Sequence, residues 1–219
     1  MEKINRYTAG SSDKPLPFFQ DRNGNKVFPA EYMVVLQPHE ELYKRIVKLK
    51  EEFSESFDNS MAVALKPHIA LVRFRQYEMK EQPVYQRLKL LAMSLPAFKI
   101  DLDGFGSYPS HTIFLKVVTQ EPVKAIAKKL REAQSLMRIS NEHRPLFMNE
   151  PHIAIARKLL PWQYEKGWQQ YAGSPFHGSF VASKLLFLKR RQGSKAWIIV
   201  DELPMLNMPV ETKQGELFG

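Results

Sequence analysis

The sequence contains no cysteine, which removes disulfides, thiol nucleophiles and every cysteine-based zinc or iron–sulfur site. No apolar run approaches the length of a membrane span. The first residues, Met1 to Lys14, lack the apolar segment of a secretory signal. Acid is scarce relative to base: 23 Asp and Glu stand against 32 Lys and Arg, for a formal net charge of +9. That balance favours polyanionic partners such as RNA, nucleotides or phosphorylated surfaces, or else serves solubility alone. These features lead us to expect a soluble, cytoplasmic protein without membrane contact. With 219 residues, 44% of them apolar, the chain can build one large domain or two small lobes sharing a core.

What is present is a repeat. Pro67-His68-Ile69-Ala70-Leu71-Val72-Arg73 returns as Pro151-His152-Ile153-Ala154-Ile155-Ala156-Arg157. Repetition of this kind marks a duplicated structural unit. Each copy opens an apolar, strand-like run with a histidine. On a strictly alternating strand, His68, Ala70 and Val72 share one face, and Ile69, Leu71 and Arg73 the other. His152, Ala154 and Ala156 likewise oppose Ile153 and Ile155. Each histidine thus stands among small side chains, which suits a ligand groove better than a packed interior. Arg73 and Arg157 fall on the far face and read as ion-pair partners rather than phosphate ligands.

Residues 1–30, rich in Pro, Gly, Asn, Asp and Ser, read as an irregular arm with a tight turn at Asn23-Gly24-Asn25. Residues 31–205 read as one two-lobed domain and 206–219 as an exposed tail. Within the domain, Tyr32 to Leu36 predicts a buried strand. Glu40 to Phe57 predicts an amphipathic helix with Leu42, Ile46, Leu49 and Phe53 inward. The first motif strand lies within Met61 to Phe74, and a second helix spans Pro83 to Leu95. Strands at Phe98 to Phe105 and Thr112 to Val118 flank a polar turn. Glu121 to Met137 predicts a third helix with Thr119 as its N-cap. After the second motif strand come a short helix, Trp162 to Tyr171, and two strands, Gly178 to Lys189 and Ala196 to Leu203, joined by a basic loop. Mixed elements with many hairpins predict an α+β fold with mainly antiparallel sheets. The repeat predicts two pseudo-symmetric lobes around a central cleft, each contributing one histidine motif.

The copies His68-Ile69-Ala70-Leu71 and His152-Ile153-Ala154-Ile155 resemble the paired His-x-Thr/Ser-x signature of the two-histidine (2H) phosphoesterase superfamily, in its RNA 2',3'-cyclic phosphodiesterase / 2'-5' RNA ligase-like branch. Phe105-Gly106 followed by Thr112 to Leu115 resembles that family's middle hairpin, and the last two strands its C-terminal hairpin, so the likeness covers roughly residues 32–203. It implies a hydrolase that opens, or in reverse ligates, 2',3'-cyclic phosphate ends of RNA or nucleotides without metal or other cofactor. His68 would protonate the departing ribose oxygen and His152 would activate water. An ordinary histidine pKa of about 6.5 allows one neutral and one protonated ring near neutrality.

The sequence departs from the family at Ala70 and Ala154, where hydroxyls help hold the phosphate. A hydrogen bond to a charged group is worth ~1.5–3 kcal/mol. Losing two would cost about two to four orders of magnitude in rate unless other groups replace them. Lys66, Ser110, Thr112, Arg190 and Arg191 are the candidates to do so, and His111 falls near the family's substrate site. The alternative is a catalytically weak or inactive RNA- or nucleotide-binding protein on the same scaffold. Tyr32, Tyr108 and Phe114 are candidates to stack a base, with core packing the default for Phe114. His39, His143 and His177 read as surface residues. The tail Gln214-Gly215-Glu216-Leu217-Phe218 resembles peptides that bind bacterial sliding clamps, an interaction the sequence suggests only weakly. A monomer is expected, since no segment stands out as an interface.

Overall fold

The chain's apolar runs become the inner strands of one curled sheet. The structure is a computed structural model that describes residues 17–208 apart from Asp21 and Leu65. A small hairpin, β1 (Phe19–Gln20) with β2 (Lys26–Val27), comes first. It is followed by β3 (Ala30–Leu36), α1 (Glu40–Phe57), α2 (Ser60–Ala64), β4 (Ile69–Gln76) and α3 (Glu81–Met93). Next come β5 (Phe98–Tyr108), β6 (Thr112–Val117), α4 (Gln120–Leu130), α5 (Gln134–Met137) and β7 (Leu146–Phe147). The last elements are β8 (His152–Arg157), α6 (Pro161–Tyr171), β9 (His177–Ala182), β10 (Lys184–Arg190) and β11 (Ile198–Pro204).

Nine strands form one antiparallel sheet in the order β11-β10-β3-β4-β8-β6-β5-β9, with β7 also paired to β4. Ser183 alone separates β9 from β10, yet β9 pairs with β5 and β10 with β3. One residue therefore carries the chain from one end of the strand order almost to the other. This is possible only because the sheet curls until its ends approach. At its centre the sheet is held by a single pair, Ile69 opposite Ile153. Beyond it β7 takes over as the neighbour of β4, with Val72 opposite Phe147.

The helices pack on one face. Leu42, Ile46 and Phe53 of α1, Leu88 and Leu91 of α3 and Ile126 and Leu130 of α4 share a continuous core with Val34, Leu36, Ile69, Leu71, Phe74, Ile153 and Phe187 of the strands. Burying each of these large side chains favours folding by about 1.5–3 kcal/mol. The opposite sheet face receives no helical residue. Its own small apolar cluster is Met33, Val35 and Leu186, with Ala70, Leu188 and Trp197 packed against it. That helix-free face, which carries Ala70, is the groove face.

Several expectations need correction. The segment read as an irregular arm contains the β1–β2 hairpin, with Gly24 at positive φ in its turn. The predicted helix from Glu121 to Met137 is broken by a 3-10 turn at Arg131–Ala133. Thr119 stands at the N-cap of α4 but makes no capping bond, because its hydroxyl accepts from the Asp101 amide at 3.0 Å instead. The single strand expected over Gly178 to Lys189 is two strands. In α1 Leu49 packs partly buried against the core, and the neighbouring Lys50, not foreseen, is fully buried. Tyr32 is fully buried, stacked between Phe74 and Phe187 with its hydroxyl donating to Glu81, and stacks no ligand base. Among the described residues no helix is long and apolar enough to cross a membrane. The clamp-like peptide of the tail lies outside the described residues.

Candidate active site

Each motif strand carries one extra residue just after its alanine. In β4, Val72 pairs with Val34 but Ala70 pairs with Val35, so Leu71 is the surplus residue. In β8, Ala156 pairs with Ile113 but Ala154 pairs with Phe114, and Ile155 is surplus. A bulge of this kind shifts the alternation by one. Leu71 and Val72 both enter the core, as do Ile155 and Ala156. Arg73 and Arg157 therefore turn back onto the face of His68, Ala70, His152 and Ala154. This corrects the strict alternation, which had placed both arginines on the far side.

The central pair Ile69–Ile153 fixes the rest. One step either way, the antiparallel register sets His152 across from Ala70 and His68 across from Ala154. The two histidines are then diagonal neighbours, a relation in which residues lie roughly 7–8 Å apart and their Cβ atoms somewhat closer.

Both rings are fixed the same way. His68 Nδ1 donates to the Lys66 carbonyl at 2.7 Å, and His152 Nδ1 donates to the Glu150 carbonyl at 2.8 Å. Since a carbonyl can only accept, Nδ1 carries the proton and Nε2 presents its lone pair. Pro67 and Pro151 supply the local reason, because a residue before proline is held extended and its carbonyl is swung under the ring. The Arg157 guanidinium donates to His152 Nε2 at 3.3 Å. Burial is the main influence on both rings. With help from Arg157, it pushes each imidazole pKa down to about 4. Lys50 and His152 depress His68 further, while the two carbonyls partly oppose the shift. The ligand-free pair is thus neutral at physiological pH, unlike the half-protonated pair expected from ordinary values.

One wall is aromatic. Phe114 lies 4.7 Å from the His152 ring and 4.9 Å from Tyr108, whose hydroxyl donates to Glu150 at 2.7 Å. Phe114 is only half-buried and faces the groove, contrary to the core role assigned from sequence. It is also the direct cross-strand partner of Ala154, as Val35 is of Ala70. Each motif alanine therefore sits beneath a larger apolar neighbour. A threonine at 154 would crowd the Phe114 ring.

Lys50 supports the β8 bulge from behind. Its ammonium donates to the Ala154 carbonyl at 2.9 Å and the Ile155 carbonyl at 3.1 Å, and it is 1% exposed. Burial, and then Arg157, push its pKa down to about 7. Lys50→Met removes both of these hydrogen bonds to buried backbone carbonyls. The expected loss is about 2–4 kcal/mol of stability, read as a lower denaturant midpoint at unchanged m-value.

The sequence profile of the 2'-5' RNA ligase superfamily matches residues 38–194, which span both histidine motifs. The chain belongs to the 2'-5' RNA ligase superfamily. Solved structures agree on the fold. E. coli LigT bound to 3'-AMP superposes with a TM-score of 0.59 at 18% identity, covering 81% of this chain and 98% of that one. TT0787 of Thermus thermophilus gives 0.58 at 18% identity, covering 80% and 98%. E. coli LigT bound to ATP gives 0.58 at 17% identity, covering 81% and 98%. No curated protein matches the sequence.

Within this superfamily fold, the groups proposed to replace the motif hydroxyls lie in different places. Lys66 presents its backbone carbonyl to His68, while its side chain is exposed. Thr112 is cross-strand from Arg157, and its hydroxyl is within 2.7 Å of His111 Nδ1. His111 also packs on Tyr108, at the edge of the aromatic wall. Ser110 sits in the β5–β6 turn at positive φ, exposed. Arg190 and Arg191 are not beside the histidines. Arg190 pairs with Glu31 and Arg191 with Glu78, at the far end of β10. The group nearest the histidines that sequence reasoning set aside is Arg157. Lys116, cross-strand from His152, was not singled out at all. The remaining histidines make local contacts: His39 accepts from the Leu42 amide at the start of α1, His143 contacts Ser140, and His177 pairs with Asp103. Among the described residues no group of three or more His, Cys, Asp or Glu side chains could hold a metal ion.

Proposed function

We propose that this protein is a phosphodiesterase that opens 2',3'-cyclic phosphate ends of RNA or nucleotides, and in reverse ligates them, by two-histidine acid/base catalysis. The observation that carries this reading is the matched pair of imidazoles. Both have Nδ1 tied to a backbone carbonyl, which leaves Nε2 as the unprotonated nitrogen, and the register of β4 and β8 makes the two rings diagonal neighbours. In hydrolysis His152 takes a proton from water as its oxygen attacks phosphorus. The bond from phosphorus to one ribose oxygen breaks, and His68 delivers a proton to that oxygen, leaving a ribose phosphomonoester. The nearby Arg157 cation keeps His152 neutral in the free protein, the state a proton acceptor needs. Arg157 also offers a charged donor where the motif hydroxyls are missing, with Lys116 beside it. One such bond supplies ~1.5–3 kcal/mol, comparable to a lost hydroxyl contact.

The test is turnover of a 2',3'-cyclic nucleotide, with product phosphate position read by chromatography, beside Ala70→Thr. Hydrolysis by the wild type, changed less than about tenfold in the variant, is expected. A rise of several orders of magnitude in Ala70→Thr would instead favour a second reading: a binding protein whose chemistry the alanines have disabled. The apolar covers Val35 and Phe114 over the two alanines are what recommend that reading. Absence of turnover in both proteins would overturn the enzymatic one.

A further inference from the structure

A second cluster of cations lies at the far ends of β4 and β10, away from the histidines. Along β4 the groove-facing residues after His68 are Ala70, Arg73 and Arg75. Arg75 stands about six residue steps from His68 once the bulge is discounted, or ~20 Å. There a cavity of about 340 Å³ is lined by Arg75, Arg190 and Arg191, with Glu31, Gln192 and Ser194. The register explains the cluster, since Arg190 pairs with Glu31 and Glu31 with Arg75 across three strands. Glu31 bridges Arg73 and Arg190, and Glu78 holds Arg191. Arg75 lines the cavity and, among the described residues, makes no ion pair with a carboxylate. Between the two sites Met33, Val35 and Leu186 are themselves buried, with the partly buried Leu188 and Trp197 packed against them. The Arg190 guanidinium lies 4.7 Å over the Trp197 ring.

Charged anchors beside a stacked aromatic–guanidinium platform make the pattern that binds single-stranded nucleic acid. We propose that the Arg75–Arg190–Arg191 cavity is a distal phosphate subsite, and that the groove leading to it binds single-stranded RNA several nucleotides upstream of the reacting end. This rests on the proposed phosphodiesterase reading, and it narrows the substrate class from any cyclic nucleotide to an oligoribonucleotide. The chemistry is directional. The reacting 2',3'-cyclic phosphate is a strand's last group, so the groove holds the nucleotides that precede it. Arg75 and Arg191 meet backbone phosphates, while Trp197 and Arg190 stack a base. The ion pairs with Glu31 and Glu78 hold the guanidinium groups in place before the strand arrives.

The experiment compares kcat/KM for a cyclic mononucleotide with that for a pentaribonucleotide ending in a cyclic phosphate, across salt concentration. The wild type is expected to favour the pentamer at least tenfold at low salt, and to lose that advantage as salt rises. In Arg75→Gln the pentamer-to-mononucleotide ratio should fall at least threefold, with a shallower salt slope. Trp197→Ala should lower the ratio by a similar factor with little change in slope, because stacking carries no charge. Equal kcat/KM for the two substrates, or a ratio unmoved in Arg75→Gln, would overturn the subsite. Anisotropy with a labelled pentamer ending in a plain 3'-phosphate keeps the two proposals apart. If neither substrate turns over but the pentamer binds in an Arg75-dependent, salt-sensitive way, the phosphodiesterase reading fails and the RNA groove stands. Turnover of the mononucleotide with no Arg75-dependent pentamer binding has the opposite meaning.

Discussion

Replacing either His68 or His152 by alanine is expected to lower kcat/KM for a 2',3'-cyclic phosphate by about 100- to 10,000-fold, the range typical of one positioned acid or base. The double replacement should cost little more than either single one, because the two rings act on one transition state. A purely structural role would instead lower stability and leave residual activity proportional to the folded fraction. Both rings are half-buried and each makes one hydrogen bond to a carbonyl. The single variants should therefore remain folded, which a denaturant titration checks beside the rate.

The same pair sets an unusual pH dependence. Folding lowers both imidazole pKa values from 6.5 to about 4. The proposed acid/base mechanism needs one ring protonated and one neutral. Free-enzyme kcat/KM should accordingly be higher at pH 5 than at pH 8, because the singly protonated pair is depleted as pH rises. Bound substrate places an anion between the rings and raises the pKa of the acid. The profile of kcat should therefore lie at higher pH than that of kcat/KM. A bell centred on 6.5 in both would contradict the depression. The stability sign follows from linkage. Between pH 4 and 6.5 the unfolded chain binds protons that the native rings refuse, so the native state loses stability as pH falls through that window and keeps it fully above 6.5.

Much of this architecture was legible in the residues. The 3.6-residue spacing of Leu42, Ile46 and Phe53 marked α1, the apolar runs marked β3, β4 and β8, and the repeated motif drew attention to one histidine on each of two strands. What escaped has a common physical cause: a decision made by a single residue. The bulges at Leu71 and Ile155 reverse which face the following side chains take, and strict alternation cannot foresee that. Their only trace is the apolar doublet Leu71-Val72, or Ile155-Ala156, directly before the arginine. The break at Ser183 likewise turns on long-range pairing, since β9 and β10 read as one continuous strand. Lys50 was hidden because a lysine inside an apolar stripe looks solvent-exposed until the carbonyls that need it are placed.

Arg157 carries the second large effect. Arg157→Met should lower kcat/KM for the cyclic phosphate by about 10- to 150-fold, the equivalent of one charge-assisted hydrogen bond. Binding of inorganic phosphate, measured calorimetrically, should weaken in parallel. Loss of charge is only part of the case. Arg157 is the largest influence after burial on His152, and it also depresses His68. Removing it must therefore raise both imidazole pKa values, and the acid limb of kcat/KM should move to higher pH. Arg157→Lys retains the charge but loses the planar fork, so it should keep the low pKa values while recovering only part of the rate. A residue that merely braced the β8 bulge would shift the denaturant midpoint in both variants and leave the pH profile in place. The opposite pattern, a displaced profile in Met and an undisplaced one in Lys at similar stability, would identify the guanidinium as the phosphate contact and explain how the site works without the two motif hydroxyls.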